Sequence, residues 1–254
     1  MKTINGFTHS ARLTALVLFG ALGACGGGAE TPVSAPVSAP VTAAPVTQLK
    51  AGTWVVMGSS TAAGTGAPAG KGWVAQLAGN YAARGVQVAN IAQGGTVTYE
   101  GLSASAAPVA GRPAPNPAVN IDQALARKPV LLIVSYPTND TALGYGVDET
   151  VNNLLAIRSQ ALAAGVPVVV TSTQPRNLTD TQLANLRAID TRLAASVGAC
   201  FVEVRAALAG ADGKLAPEYD SGDGVHPNGA GHVLIAERLS QLLAAGSCVR
   251  LPAT

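Results

Sequence analysis

Thr53-Trp54-Val55-Val56-Met57-Gly58-Ser59-Ser60-Thr61-Ala62-Ala63-Gly64 is the stretch on which the fold turns. Large apolar and β-branched side chains run up to a glycine, and small and hydroxylated residues follow. An apolar run this short, bounded by turn residues, is a buried strand. Similar runs lie at Val86–Ala92, Val130–Tyr136, Val166–Thr173 and Ala199–Val204. Segments with helical spacing lie between and after them: Gly72–Arg84, Ala118–Arg127, Val147–Ala164, Thr179–Val197 and Asn228–Ala245. The alternation predicts βαβ units and a parallel sheet covered on both faces. Residues 50–254 therefore read as one three-layer α/β/α domain. Its widest irregular stretch, Val97–Pro117, is rich in Gly, Pro and Ala. Loops of that length more often carry function than not.

The residues before this domain read as an address and a tether. Lys2 and Arg12 precede the apolar run Leu13–Leu22. That run is shorter than the roughly 20 residues a membrane-spanning helix needs, and suits the core of a secretory signal over residues 1–24. Leu22-Gly23-Ala24-Cys25 resembles the bacterial lipobox. The resemblance implies cleavage before Cys25 and its lipidation, hence an exported, membrane-anchored lipoprotein on the periplasmic or cell-surface side. An ordinary signal peptide with a chance cysteine is the competing reading. Residues 25–49 then form a Pro/Ala/Ser-rich linker of extended character.

With 48% hydrophobic and 12% charged residues, the chain is too apolar for a disordered protein. Removing Lys2 and Arg12 with the signal leaves fourteen basic and fourteen acidic residues. A chain of zero formal charge has no general basic field, so nucleic acid is not an expected partner. Cys200 and Cys248 can pair in an oxidising compartment and would pin the C-terminal end to the strand holding Cys200; two buried thiols are the alternative. Three cysteines without supporting histidines make no zinc site, and no cofactor is implied.

In open α/β sheets, ligands bind beyond the carboxyl ends of the strands. There the sequence places Gly58-Ser59-Ser60, Gln93-Gly94-Gly95-Thr96, Pro137-Thr138-Asn139-Asp140, Gln174-Pro175-Arg176-Asn177 and, after the last strand, Asp223-Gly224-Val225-His226-Pro227. His9 belongs to the signal, and His232 falls on another face of the last helix. His226, three residues after Asp223, is the candidate base, with the carboxylate able to hold the imidazole. Ser60 is the candidate nucleophile, with Ser59 its rival on position. Neither the Gly-x-Ser-x-Gly elbow nor a phosphate-binding loop is present.

These segments resemble the SGNH (GDSL-like) hydrolases over about residues 53–245. Gly58-Ser59-Ser60 stands where the family has Gly-Asp-Ser, and Asn90 through Gly95 matches its Asn and glycine turn. Pro137-Thr138-Asn139-Asp140 stands for Gly-x-Asn-Asp, and Asp223 through His226 for Asp-x-x-His, with Pro227 opening the final helix. The resemblance implies a flavodoxin-like five-stranded parallel sheet. It also implies acyl transfer by Ser60, His226 and Asp223, with an oxyanion hole made by the N–H groups of Ser60 and Gly95 and the Asn139 amide. Gly94 is the alternative donor to Gly95. Ser59 replaces the family's Asp, where its hydroxyl would support the turn less strongly, and Pro137 removes a backbone N–H.

Asp140 and Gln174 read as turn or capping residues. Arg176 would meet an anionic substrate group or face solvent. Tyr99, Tyr136 and Tyr145 would line a sugar or acyl surface, or pack in the core. The expectation is a monomeric serine esterase acting on short acyl esters of small molecules or polysaccharides, acetyl-carbohydrate among them. Lysophospholipid or thioester hydrolysis with longer acyl chains, and a non-catalytic binding lipoprotein, are the alternatives.

Overall fold

The computed structural model describes residues 46–253; the expected signal segment 1–24, Cys25 and the linker up to residue 45 lie outside them. The elements run in chain order as β1 (Thr47–Gln48), β2 (Gly52–Gly58), α1 (Ser60–Ala63), α2 (Trp73–Tyr81), β3 (Val86–Asn90), α3 (Thr98–Gly101), α4 (Ile121–Ala126) and β4 (Leu131–Ser135). They continue as α5 (Asn139–Ala142), α6 (Val147–Ala163), β5 (Val168–Thr171), α7 (Asp180–Val197), β6 (Phe201–Val202), α8 (Arg205–Leu208), α9 (Gly229–Ala245) and β7 (Val249–Arg250).

The main sheet has the order β3-β2-β4-β5-β6, and every pair in it is parallel. Counted along the sheet's own strands, that is the flavodoxin-like order 2-1-3-4-5. The order reverses between β2 and β4, which opens the crevice where such folds bind ligands. Side chains alternate across the strands, as the pleat requires. Trp54, Val56, Leu131, Ile133 and Val169 pack on one face with α2 and α9 through Trp73, Leu77, Ile235 and Leu239. Val55, Met57, Leu132, Val134 and Val170 pack on the other with α4, α6 and α7 through Ile121, Leu154, Ile157 and Ile189. Because both faces are covered, the strands read as unbroken apolar runs rather than as an alternation.

Three local expectations change. Thr47, Gln48 and Leu49 do not belong to the linker: β1 pairs in parallel with β7, with Thr47 opposite Val249, and Leu49 joins the core. A strand of two residues has no period to read, and its partner lies at the other end of the domain. Cys200 and Cys248 form a disulfide, but Cys200 sits in the 3₁₀ turn Gly198–Cys200 just ahead of β6 rather than within the strand. Pro227 lies outside α9, whose N-cap is Asn228; the Asn228 side chain accepts hydrogen bonds from the N–H groups of Ala230 and Gly231. Among the described residues, no helix is long and apolar enough to cross a membrane.

Candidate active site

Ser60 is the first residue of α1, two positions beyond the last residue of β2. Gly58 makes that turn possible: a Cβ there would stand 2.1 Å from the Ser135 carbonyl oxygen of the neighbouring strand. The turn is then tied down by its neighbours. The Thr96 hydroxyl lies within hydrogen-bond reach of the carbonyls of Gly58 (3.0 Å) and Gln93 (2.8 Å). The Asn90 amide donates to the Ala62 carbonyl at 2.7 Å, joining the end of β3 to α1.

His226 reaches the same point from the far end of the domain. Its Nε2 lies 2.8 Å from Ser60 Oγ, and its Nδ1 lies 2.6 Å from Asp223 Oδ2. A carboxylate can only accept, so Nδ1 carries the proton and Nε2 is left to accept from the Ser60 hydroxyl. Asp223 is itself held by its own loop, since Oδ1 accepts from the backbone N–H groups of Val225 and His226 at 2.8 Å each. Partial burial pushes the Asp223 carboxyl up, but the bonds from the His226 ring and these backbone donors hold it well below the usual range. The arrangement can pass the serine proton to an imidazole whose positive form the carboxylate steadies.

Hydrogen-bond donors gather beside this hydroxyl. Among the described residues, the N–H groups of Ser60, Gly94 and Gly95 have no protein acceptor. Asn139, the first residue of α5, donates one Nδ2 hydrogen to the Thr96 carbonyl at 2.9 Å and keeps the second. Gly94 lies against Ser60, where a Cβ would sit 3.7 Å from the serine Cβ. Gly95 adopts a left-handed backbone with φ 83° and lines a pocket of about 160 Å³ with Asn139, Ala142, Leu143 and Arg176. A hydroxyl, its base and a group of unspent N–H donors are the parts that acyl transfer requires.

The sequence pattern of the GDSL-like Lipase/Acylhydrolase family matches residues 56–234, more than half of the chain and all of the segments just described. The chain belongs to this family. Solved structures similar to this GDSL-like hydrolase include the psychrotrophic esterase EstA from Pseudoalteromonas sp. (17% identity, 76% of this chain and 97% of that one, TM-score 0.53). A member of the lipolytic protein G-D-S-L family from Veillonella parvula DSM 2008 is similar as well (19% identity, 76% and 98%, TM-score 0.58). So is the acetyl xylan esterase AlAXEase (13% identity, 74% and 98%, TM-score 0.56). Identities this low speak for the fold. No curated protein matches the chain in sequence.

The other rim residues of this GDSL-like hydrolase divide into supports and one open group. Gln174 is buried and donates to the Val225 carbonyl at 2.8 Å, so it braces the histidine loop. Asp140 is buried and accepts from the backbone N–H and hydroxyl of Thr98, while Asn153 on α6 donates to that hydroxyl at 3.0 Å. Burial pushes the Asp140 carboxyl up, against the pull of the Thr98 bonds. Arg176 makes no hydrogen bond or ion pair among the described residues. The Ser59 hydroxyl is buried without a partner, so it does not support the turn as expected.

None of the three tyrosines lines the pocket of Gly95 and Asn139. Tyr136 packs in the core. Tyr99 donates to Glu149 and meets Tyr145 edge-on, with the Arg112 guanidinium 4.0 Å over the Tyr145 ring. Arg112 also pairs with Glu149 at 2.7 Å and holds its carboxyl down at about 2. They clamp the long loop rather than form an open sugar platform.

The supports Thr96, Thr98 and Asn153 left little trace in the sequence. Only Asn153, a buried amide between Val151 and Leu154 on the apolar side of α6, breaks a pattern and could have drawn notice.

Proposed function

We propose that this hydrolase is an exported serine esterase that removes short acyl groups, acetyl groups on carbohydrate among them. Ser60 Oγ attacks the ester carbonyl as its proton passes to His226 Nε2. The negative tetrahedral oxygen is met by the N–H groups of Ser60 and Gly95 and the free Asn139 amide hydrogen. His226 then protonates the departing alcohol. Water, deprotonated by the same imidazole, releases the acid from the acyl-serine.

One observation carries this reading: Ser60 Oγ, His226 and Asp223 stand in a continuous relay of 2.8 and 2.6 Å. The preference for short acyl groups is supported by the size of the pocket beside Asn139. At about 160 Å³ it falls below the roughly 300–1,000 Å³ of sites for drug-sized ligands. The apolar pocket of the long loop, lined by Tyr99, Leu102 and Pro108 among others, shares none of its residues. The solved acetyl xylan esterase has the same fold and lends the carbohydrate reading further support. Export and anchoring through Cys25 follow from the lipobox resemblance.

The test is hydrolysis of a series of p-nitrophenyl esters by the wild type and by Ser60→Ala. The wild type is expected to prefer acetate, and the variant to lose at least about 10⁴-fold in kcat. An optimum at eight or more acyl carbons, counted as roughly twice a butyrate, would replace the short-acyl reading with the lipid or thioester one. A wild type that turns over nothing, and that a fluorophosphonate leaves unlabelled at Ser60, would mark a binding module instead.

A further inference from the structure

We propose that Arg176 reads a negative charge on the substrate, a carboxylate or other oxyanion carried next to the scissile ester. The inference rests on the esterase reading above and adds the chemical class of substrate to it.

Arg176 lines the same pocket as Gly95 and Asn139, so the residue borders the space in which the ester carbonyl would lie. Its backbone is fixed from both sides to the loop that carries the base. The preceding Gln174 side chain donates to the Val225 carbonyl at 2.8 Å, and the following Asn177 N–H donates to the Gly224 carbonyl at 2.7 Å. Pro175 stiffens the short stretch between them. Arg176 is thus presented to the pocket by the histidine loop itself.

Its side chain is half-buried yet unspent. Arg112, Arg192 and Arg205 are each paired with a carboxylate: Glu149, Asp148 and Asp190 respectively. Arg176 has no such partner among the described residues, and neither rim carboxylate serves it. Asp140 is turned toward Thr98 and Asp223 toward His226. The remaining pocket neighbours, Ala142 and Leu143, offer no acceptor side chain. A half-buried arginine with nothing to pair with favours an incoming anion, and its planar guanidinium fork suits two oxygens of one group.

The experiment compares two pairs of esters. In one pair the charge sits on the acyl side: mono-(4-nitrophenyl) succinate against 4-nitrophenyl butyrate. In the other it sits on the alcohol side: 4-acetoxybenzoate against its methyl ester. The readout is the charged-to-neutral ratio of kcat/KM in the wild type, Arg176→Gln and Arg176→Lys. The glutamine variant is expected to lower that ratio by about ten-fold or more in one pair, chiefly through KM, with lysine restoring part of it. Raising the salt to about 0.5 M should shrink the wild-type ratio as well. The pair that responds tells which side of the ester carries the charge.

A ratio unchanged within about two-fold in both pairs, with hydrolysis by the variants still measurable, would overturn the role of Arg176 alone. That outcome includes an arginine that merely assists the oxyanion, which would slow charged and neutral esters alike. Failure of the wild type on all four esters, with no fluorophosphonate labelling of Ser60, would instead overturn the esterase reading and this proposal with it. Circular dichroism of both variants separates a folding defect from lost recognition, and the lysine variant keeps the comparison open if glutamine unfolds the loop.

Discussion

His226 and His232 are near neighbours in sequence and opposites in surroundings. His226 stands on the glycine-rich loop, open on one side, with Nδ1 on a carboxylate and Nε2 on a serine hydroxyl. His232 is fully buried in the first turns of α9. Its Nδ1 lies 3.2 Å from the Trp73 N–H and can only accept, so Nε2 carries the proton and donates to the Thr65 carbonyl at 3.0 Å. One imidazole is positioned to change its charge during a reaction. The other is held neutral as a cross-link between α9, the start of α2 and the loop after α1. Burial pushes the His232 pKa down, the Thr65 bond opposes this, and the nearby His226 lowers it slightly further.

The cross-link also serves the site. Residue Gly66, next to Thr65, approaches the histidine loop so closely that a Cβ would lie 2.2 Å from the Pro227 carbonyl oxygen. Its φ of 94° equally favours glycine. The structural histidine thus holds the segment against which the loop of the other is packed. What separates the two is not the residue type but what the surroundings offer each nitrogen.

Substitutions sharpen the contrast, and the largest effect belongs to the rim. His226→Ala is expected to lower kcat by about 10⁴-fold or more while moving the unfolding free energy by only about 1 kcal/mol. Esterase assays beside urea melts check both halves. Asn139→Ala should cost about 10²–10³ in kcat with little change in KM, because in the proposed mechanism its amide would act mainly on the tetrahedral oxygen. An unchanged kcat would take Asn139 out of that role.

The buried histidine should respond the other way. His232→Leu leaves the Trp73 N–H and the Thr65 carbonyl unpaired and is expected to cost about 2–4 kcal/mol of stability in urea melts. Wild-type stability should also fall with acid. The folded value lies below the unfolded value of 6.5, so stability is complete above pH 6.5. It declines below that pH as the unfolded chain takes up the proton first, until the folded value is passed. The leucine variant, with no proton to bind there, should lose this part of the slope.

Ser59→Ala is the smallest expected effect. Removing a buried hydroxyl that has no partner should leave stability within about 1 kcal/mol of the wild type, or raise it. A loss clearly larger than this in the same melts would mean that the hydroxyl supports the nucleophile turn after all.

The strands of the main sheet and the helices α2, α4, α6, α7 and α9 were legible in the sequence because their segments are rich in buried apolar residues, and burial leaves a pattern in the chain. Helix ends moved by only a few residues, as at α4, expected from Ala118 and found at Ile121. The short elements α1, α3, α5 and α8 were not legible, since a single turn has no repeat to detect. Taken one by one, the site residues were legible only as polar side chains at strand ends, and it was the likeness of their four segments to the SGNH hydrolases that implied they act together. Nothing in the spacing of Thr96, Thr98 and Asn153 says that they fasten Asn139 and Asp140.

By itself the sequence determined the sheet, its helical covering and the list of reactive groups at its carboxyl edge. These follow from local burial and turn chemistry, which act over a few residues. Only the tertiary structure decided which groups meet. Ser60 and His226 come within 2.8 Å from opposite ends of the domain. The cysteines close their bridge, and Arg176 is left facing the pocket of Gly95 and Asn139 without a partner. Such meetings depend on how packed layers set distant loops against one another, a global outcome that no local pattern records.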